Sequence, residues 1–224
     1  AGRRTQGDGL VIRCLALARP AGDPLSEIVA AAGWVPLPCF PTAQVPTGAP
    51  CPLPEPDAVI LLSPGGARFA ELPEGVPVLA TGEGTARHLE DHPVHLAPEP
   101  TAEGLWALLQ DRYPRGGDFL LVRAERTRGW LQEAAGGSPW RLHAWITHAE
   151  RPTEGFALPA CEAVLALSPL QAEVLGPEAP DRLRLGWGER AAAALARVGY
   201  PAHAWCEPRP DALLRLLIAL KEEP

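Results

Sequence analysis

Apolar residues along this chain fall in short runs that alternate with helix-period stretches, and the alternation predicts strands followed by helices from end to end. Leu10 to Ala18 is continuously apolar except for Arg13, as in a central parallel strand, and it ends at Arg19-Pro20. Leu25, Ile28, Val29 and Ala32 then keep helical spacing, with Asp23 placed as N-cap, Pro24 at the first helical position and Gly33 as the stop. Trp34 to Phe40 predicts a second strand, and the proline-rich stretch from Pro41 to Pro56 predicts a linker or an extended crossing. Beyond it the pattern predicts strands at Ala58 to Leu62, Val76 to Ala80, His95 to Ala97, Phe119 to Arg123 and Arg141 to Ile146. It predicts helices after Ser63-Pro64, from Gly84 to Glu90, from Thr101 to Gln110 and from Arg126 to Ala135. Thr147 to Pro159 is expected to be a connection, and Asp211 to Leu220 a strongly amphipathic helix.

One part of this pattern occurs twice. Asp57-Ala58-Val59-Ile60-Leu61-Leu62-Ser63-Pro64 is answered about 105 residues later by Glu162-Ala163-Val164-Leu165-Ala166-Leu167-Ser168-Pro169. Val78 to Ala86, containing Thr81-Gly82-Glu83-Gly84-Thr85-Ala86, answers to Arg184 to Ala192, containing Gly186-Trp187-Gly188-Glu189-Arg190-Ala191-Ala192. The match continues from Glu99-Pro100 to Glu207-Pro208, each before a helix. A repeat of domain size implies two similar α/β domains with parallel sheets flanked by helices, facing each other across an inter-domain cleft where a ligand would sit. In such sheets ligands lie at the carboxyl ends of the strands, and Ser63, Thr81 to Thr85, Ser168 and Gly186 to Ala191 all fall there.

The 224 residues, 46% of them hydrophobic, suffice for two modest cores. The net charge of −7, with 27 acidic against 20 basic residues, argues against a nucleic-acid partner, because phosphate backbones require a basic face. Cys14, Cys39, Cys51, Cys161 and Cys206 form no C-x-x-C pair and read as reduced thiols, mostly buried. With no long apolar stretch, the expectation is a cytoplasmic protein without membrane contact.

A Ser-Pro after a strand can cap the next helix with its hydroxyl while proline fills the first helical position, leaving backbone N–H groups open to an anion. Gly82-x-Gly84 lacks the third glycine of a dinucleotide fingerprint, where Arg87 stands instead. His88, His92 and His95 are interrupted by Pro93 and have no completing ligand, so no metal site is expected. His143 and His148 flank Trp145 in the expected crossing strand, where packing, capping and a ligand contact all stand as readings. Gly-x-Ser-x-Gly is absent, and no hydrolytic triad can be picked out by spacing.

In their order and spacing, these motifs resemble the uroporphyrinogen-III synthase family across nearly the whole chain. The family's opening strand ending in Arg-Pro is similar to Leu15-Ala16-Leu17-Ala18-Arg19-Pro20. Its Ser-Pro turn is similar to Leu61-Leu62-Ser63-Pro64, its Val-Gly-x-x-Thr-Ala turn to Thr81 through Ala86, and its Phe-Ser-Pro to Leu167-Ser168-Pro169. The resemblance implies two flavodoxin-like domains joined by two crossing strands: residues 1–38 with 148–224, and residues 45–142, with crossings at 39–44 and 143–147. Two positions depart from the family pattern. Ala144-Trp145-Ile146-Thr147 replaces Val-Tyr-x-Thr, and Gly188-Glu189-Arg190-Ala191-Ala192 replaces Gly-Pro-Thr-Thr-Ala.

The function implied by the resemblance is that of a cyclising hydro-lyase of haem biosynthesis. It would act as a monomer without a cofactor, closing hydroxymethylbilane to uroporphyrinogen III with inversion of ring D and loss of water. Carried onto this chain, Ser63 and Thr85 would assist the chemistry. Ser63, Pro64, Gly82, Thr85, Ser168 and Gly188 would bind the substrate, with Trp145 and Thr147 lining the cleft. The two departures define a second reading, a weakened or inactive member retained as a tetrapyrrole-binding or regulatory protein.

Overall fold

The computed structural model describes residues 13–87, 89, 91–127 and 129–222. It divides into two compact units, residues 1–43 with 151–224 (unit 1) and 44–150 (unit 2). Both are mostly parallel sheets flanked by helices, with β3 of the second running antiparallel to its neighbour, and each is built from the β-α rhythm of the sequence.

In unit 1 the strands are β1 (Cys14–Leu17), β2 (Val35–Pro38), β9 (Ala163–Ala166), β10 (Leu183–Trp187) and β11 (Ala204–Cys206), ordered β11-β10-β9-β1-β2. All their pairings are parallel. Renumbered within the unit, the order is 2-1-3-4-5, that of a doubly wound sheet. Helices α1 (Pro24–Ala31) and α8 (Pro210–Glu222) cover one face through Val29, Leu213 and Leu217. Helices α6 (Pro169–Glu178) and α7 (Glu189–Arg197) cover the other through Ala172, Leu175, Ala194 and Leu195. Asp23 caps α1 by accepting from the Leu25 N–H at 2.9 Å, and Gly33, at φ +76°, turns the chain into β2. Trp34, buried at the start of β2, donates its indole N–H to the Leu217 carbonyl of α8 at 3.0 Å.

In unit 2 the strands are β3 (Thr42–Pro46), β4 (Ala58–Leu61), β5 (Val78–Ala80), β6 (Val94–Leu96), β7 (Gly117–Ala124) and β8 (Trp140–Pro152), ordered β3-β8-β7-β4-β5-β6. Helices α2 (Pro64–Phe69) and α3 (Glu83–Ala86) lie on one side, α4 (Ala102–Arg112) and α5 (Trp130–Ala135) on the other. The β8-β7-β4-β5-β6 portion repeats the order of unit 1, but here the chain enters at β4 instead of at the equivalent of β7. Unit 2 is thus a circular permutation of unit 1. The doubled segment found in the sequence is β4-α2-β5-α3-β6-α4 against β9-α6-β10-α7-β11-α8.

Several boundaries differ from the periodicity. The first strand begins at Cys14, and Leu10 to Ile12 lie outside the described residues. Trp34 to Phe40 shortens to Val35–Pro38, and Val76 to Ala80 to Val78–Ala80. The helix expected from Gly84 to Glu90 is the single turn α3, and that expected from Arg126 starts only at Trp130, after Gly129. The stretch Pro41 to Pro56 contains a true strand, β3, which lies at a sheet edge where its terminal Pro46 leaves no ladder bond unmade. Thr147 to Pro159 is not all connection: β8 runs on to Pro152 and bulges after Ile146, where Arg123 opposes Ile146 and Ala124 opposes His148. Thr147 is the extra residue.

Candidate functional site

In an open α/β sheet a crevice forms at the carboxyl edge where neighbouring strands send their helices to opposite faces. Unit 2 has this switch between β4, leading to α2, and β7, leading to α5; unit 1 has it between β9, leading to α6, and β1, leading to α1. Ser63 follows β4 and Ser168 follows β9, so both copies of the Ser-Pro turn stand at a switch point. A groove of about 570 Å³ at the opposite, amino edge of unit 1's sheet, lined by Arg13, Glu162, Arg182 and His203, has no part in this arrangement.

The two serines differ in what their hydroxyls do. Ser168 accepts from the Gln171 N–H at 3.2 Å, and Gln171 Oε1 accepts from the Leu167 N–H at 3.1 Å, a variant of the capping box in which the return bond reaches the residue before the cap. Ser63 occupies the same extended N-cap geometry before Pro64, but its side chain makes no capping bond. The residue at the Gln171 position is Gly66, which has nothing to reciprocate with. The half-buried hydroxyl of Ser63 is therefore not consumed by the helix.

Beside it, Thr81 Oγ1 donates to the Leu62 carbonyl at 3.3 Å and lies 3.3 Å from Thr85 Oγ1. The Thr81 proton is committed to Leu62, so Thr85 is the donor in the second bond and keeps acceptor capacity. Thr85 is 3% exposed. Gly82 caps α3. The corresponding positions of unit 1 are Trp187 and the buried Ala191, which have no hydroxyl, and the capping glycine there, Gly188, sits at φ +92°, where only glycine is unstrained. Sequence reasoning does not single out Thr81; its spacing of four from Thr85 across a turn is the signal that points to it.

Beneath the Ser63 turn lies β8. His148, 2% exposed, stacks on Phe69 with ring centroids 5.4 Å apart, and its Nδ1 is 3.1 Å from Thr147 Oγ1. Burial pushes its imidazole below the ordinary value. Trp145 is 7% exposed, packs with Val59, Leu61 and Val122, and donates its indole N–H to the Ala49 carbonyl at 2.8 Å. It is a core residue of unit 2. His143 lies apart from these groups, 2.9 Å through Nε2 from Asp118, which also accepts from Arg141 and whose carboxyl is held well below the usual range by those hydrogen bonds.

Strand register brings out one further pair. Ala58 pairs with Phe119 and Ala163 with Leu15, so the residues four positions on, Arg123 and Arg19, are equivalent and stand at the carboxyl end of the second strand of each switch point, Arg123 inside β7 and Arg19 just after β1. Arg19 donates to the Ala18 carbonyl at 3.1 Å and has Asp23 at 3.8 Å. Arg123 donates from Nη1 to Gln132 at 3.0 Å, while its Nε is buried without a partner.

A family model described as uroporphyrinogen-III synthase HemD matches residues 23–215. Among solved structures, the chain is similar to uroporphyrinogen-III synthetase from Helicobacter pylori, with 13% identity, a TM-score of 0.56, and coverage of 93% of this chain and 100% of that one. It is also similar to a mutant uroporphyrinogen III synthase from the extremely thermophilic bacterium Thermus thermophilus, with 20% identity, a TM-score of 0.50, and coverage of 94% and 100%. At these identities the structural likeness concerns the fold. No curated protein matches the chain.

Proposed function

The chain belongs to the uroporphyrinogen-III synthase family, and from this we propose that it closes hydroxymethylbilane to uroporphyrinogen III, inverting ring D and releasing water. The observation that carries the reading is the uncommitted Ser63 hydroxyl at the switch point of unit 2, next to the Thr81–Thr85 hydroxyl pair. The substrate closes unaided to the uninverted isomer, so the protein's task is to hold the chain in a shape that lets ring D attack through its substituted carbon. In the net reaction the C–O bond of the hydroxymethyl group, the C–C bond from ring D to its methylene bridge and the C–H bond at the free α carbon of ring D break, two C–C bonds form, and the departing hydroxyl leaves as water with that proton.

Residue roles follow from the hydrogen-bond inventory. Ser63 has a donor to offer the departing hydroxyl. Thr85, its proton directed at Thr81, accepts, which suits a pyrrole N–H. Pro64, Gly82 and Gly188 shape backbone turns against which substrate carboxylates can lie, Ser168 holds its own turn through the capping box, and Thr147 sits at the bulge. Trp145 packs in the core of unit 2 behind β4 and β7. No cofactor enters this chemistry, and among the described residues no helix is long and apolar enough to cross a membrane.

A coupled assay that supplies fresh hydroxymethylbilane and resolves the product isomers tests the reading. Isomer III is expected in excess; isomer I alone overturns it. The second reading, a tetrapyrrole-binding member without turnover, is favoured by Trp145 standing in the place of a phenol and by Ala191 standing where a hydroxyl would. Tight uroporphyrinogen binding with isomer I alone is its signature.

A further inference from the structure

The site in unit 2 has hydroxyls and backbone turns, but the reading above gives it no cation, although the substrate carries eight carboxylates and the protein has a net charge of −7. Long-range electrostatics therefore oppose binding, and affinity requires a local positive group. Arg123 is placed to supply one. It closes the regular part of β7, across the switch point from the Ser63 turn on β4, and it directly precedes the bulge at Thr147. Bulges of this kind re-aim side chains at functional edges.

The state of its guanidinium supports the assignment. Gln132 of α5 holds Nη1, while Nε is buried with no hydrogen-bond partner. Among the described residues Arg123 forms no ion pair. A buried donor left unmade costs about 1–3 kcal/mol, so an arginine held in this state needs an explanation beyond folding. Its counterpart Arg19 makes the contrast, because Asp23 lies within ion-pair distance of it. Register equivalence thus yields one neutralised arginine and one with unused fork geometry, of the kind that takes a carboxylate in two parallel hydrogen bonds.

We propose that Arg123 binds a carboxylate of the tetrapyrrole and is a specificity determinant of the unit 2 site. The inference rests on the reading of the chain as a uroporphyrinogen-III synthase. Its test uses Arg123→Gln and Arg123→Lys in the full chain, with two readouts: steady-state isomer III formation from hydroxymethylbilane, and equilibrium binding of uroporphyrinogen III without turnover. For Arg123→Gln, KM and the product dissociation constant are expected to rise about tenfold with kcat within about twofold, and Arg123→Lys to recover part of the loss, since a point charge replaces the fork. The melting temperature is expected to stay level or rise, because an unsatisfied donor is removed. Unchanged KM and unchanged product binding in Arg123→Gln overturn the proposal, as does a loss of melting temperature with binding intact, which makes the residue structural. If the wild type yields isomer I alone, the catalytic reading fails, and the product-binding comparison still decides for or against Arg123. If Arg123→Gln does not fold, Arg123→Lys carries the same comparison, with unchanged affinity in both readouts counting against the proposal.

Discussion

His148 and Gly65 are packed so closely that a Cβ at Gly65 would lie 2.7 Å from His148 Nε2. Gln44 Oε1 would be 3.0 Å from the same Cβ, so the third position of the Ser63-Pro64-Gly65 turn has room only for hydrogen. The turn is seated directly on β8.

Gly65→Ala is therefore expected to destabilise by about 1–3 kcal/mol, since the ring it meets is itself stacked on Phe69 and cannot swing freely. The isomer III rate should fall with it. Thermal melts of Gly65→Ala and of Gly65→Ala with His148→Ala check the cause: the double variant should show less than the sum of the two losses, and strict additivity would mean that the contact is not the source.

The two serines should give opposite outcomes. Ser168→Ala removes a used cap and is expected to cost about 1 kcal/mol of stability. Ser63→Ala should leave the melting temperature within error and lower the isomer III rate several-fold, because its hydroxyl caps nothing. Denaturant unfolding and the coupled assay, run on both variants, read the crossover; equal stability losses would show that Ser63 also serves as a cap.

Thr81→Val breaks the bond to the Leu62 carbonyl and strips Thr85 of its acceptor. Thr85→Ala and Thr81→Val are each expected to slow isomer III formation several-fold, with Thr81→Ser close to wild type. Non-additivity in the Thr81→Val, Thr85→Ala double variant is the decisive measurement, since the pair acts as one unit.

Acid should weaken the fold through His148. Burial holds its folded imidazole below the ordinary 6.5, so between that value and the lower folded one the unfolded chain binds more protons. Stability is full above 6.5 and is lost as pH falls through this window. His203 in unit 1, depressed by burial and then by Arg184, has the same sign. Melting temperature against pH should therefore fall less steeply on the acid side in His148→Gln than in the wild type, with the remaining slope including His203. An unchanged slope would show that His148 is not the titrating group.

The elements read most easily from the sequence are those stabilised locally. Asp23-Pro24 and Thr101 announce their helices because a cap bonds to an N–H two or three residues on, and both bonds form. Ala58 to Leu61 and Ala163 to Ala166 read as strands because a central parallel strand is buried on both faces and must be apolar throughout. The material of the capping box is also present in the sequence, in the Gln171 that follows Ser168 and the Gly66 that follows Ser63. The full length of β8 is hidden because its second part, Thr147–Pro152, has polar residues and a bulge, and strand pairing outweighs their weak local preference.

By itself the sequence determined the β-α order, the repeat, and the Ser-Pro turns at strand ends, since each depends on neighbours within a few residues or on the copy of a pattern. Tertiary structure alone decided that unit 2 is a circular permutation of unit 1, that Trp145 packs in the core of unit 2 and His148 beneath the Ser63 turn, and that Arg123 and Arg19 are counterparts, one ion-paired and one not. These relationships depend on which strands lie side by side. That choice is set by burying both faces of a sheet at once, with partners such as Ala58 and Phe119 or Leu15 and Ala163 brought together from distant parts of the chain.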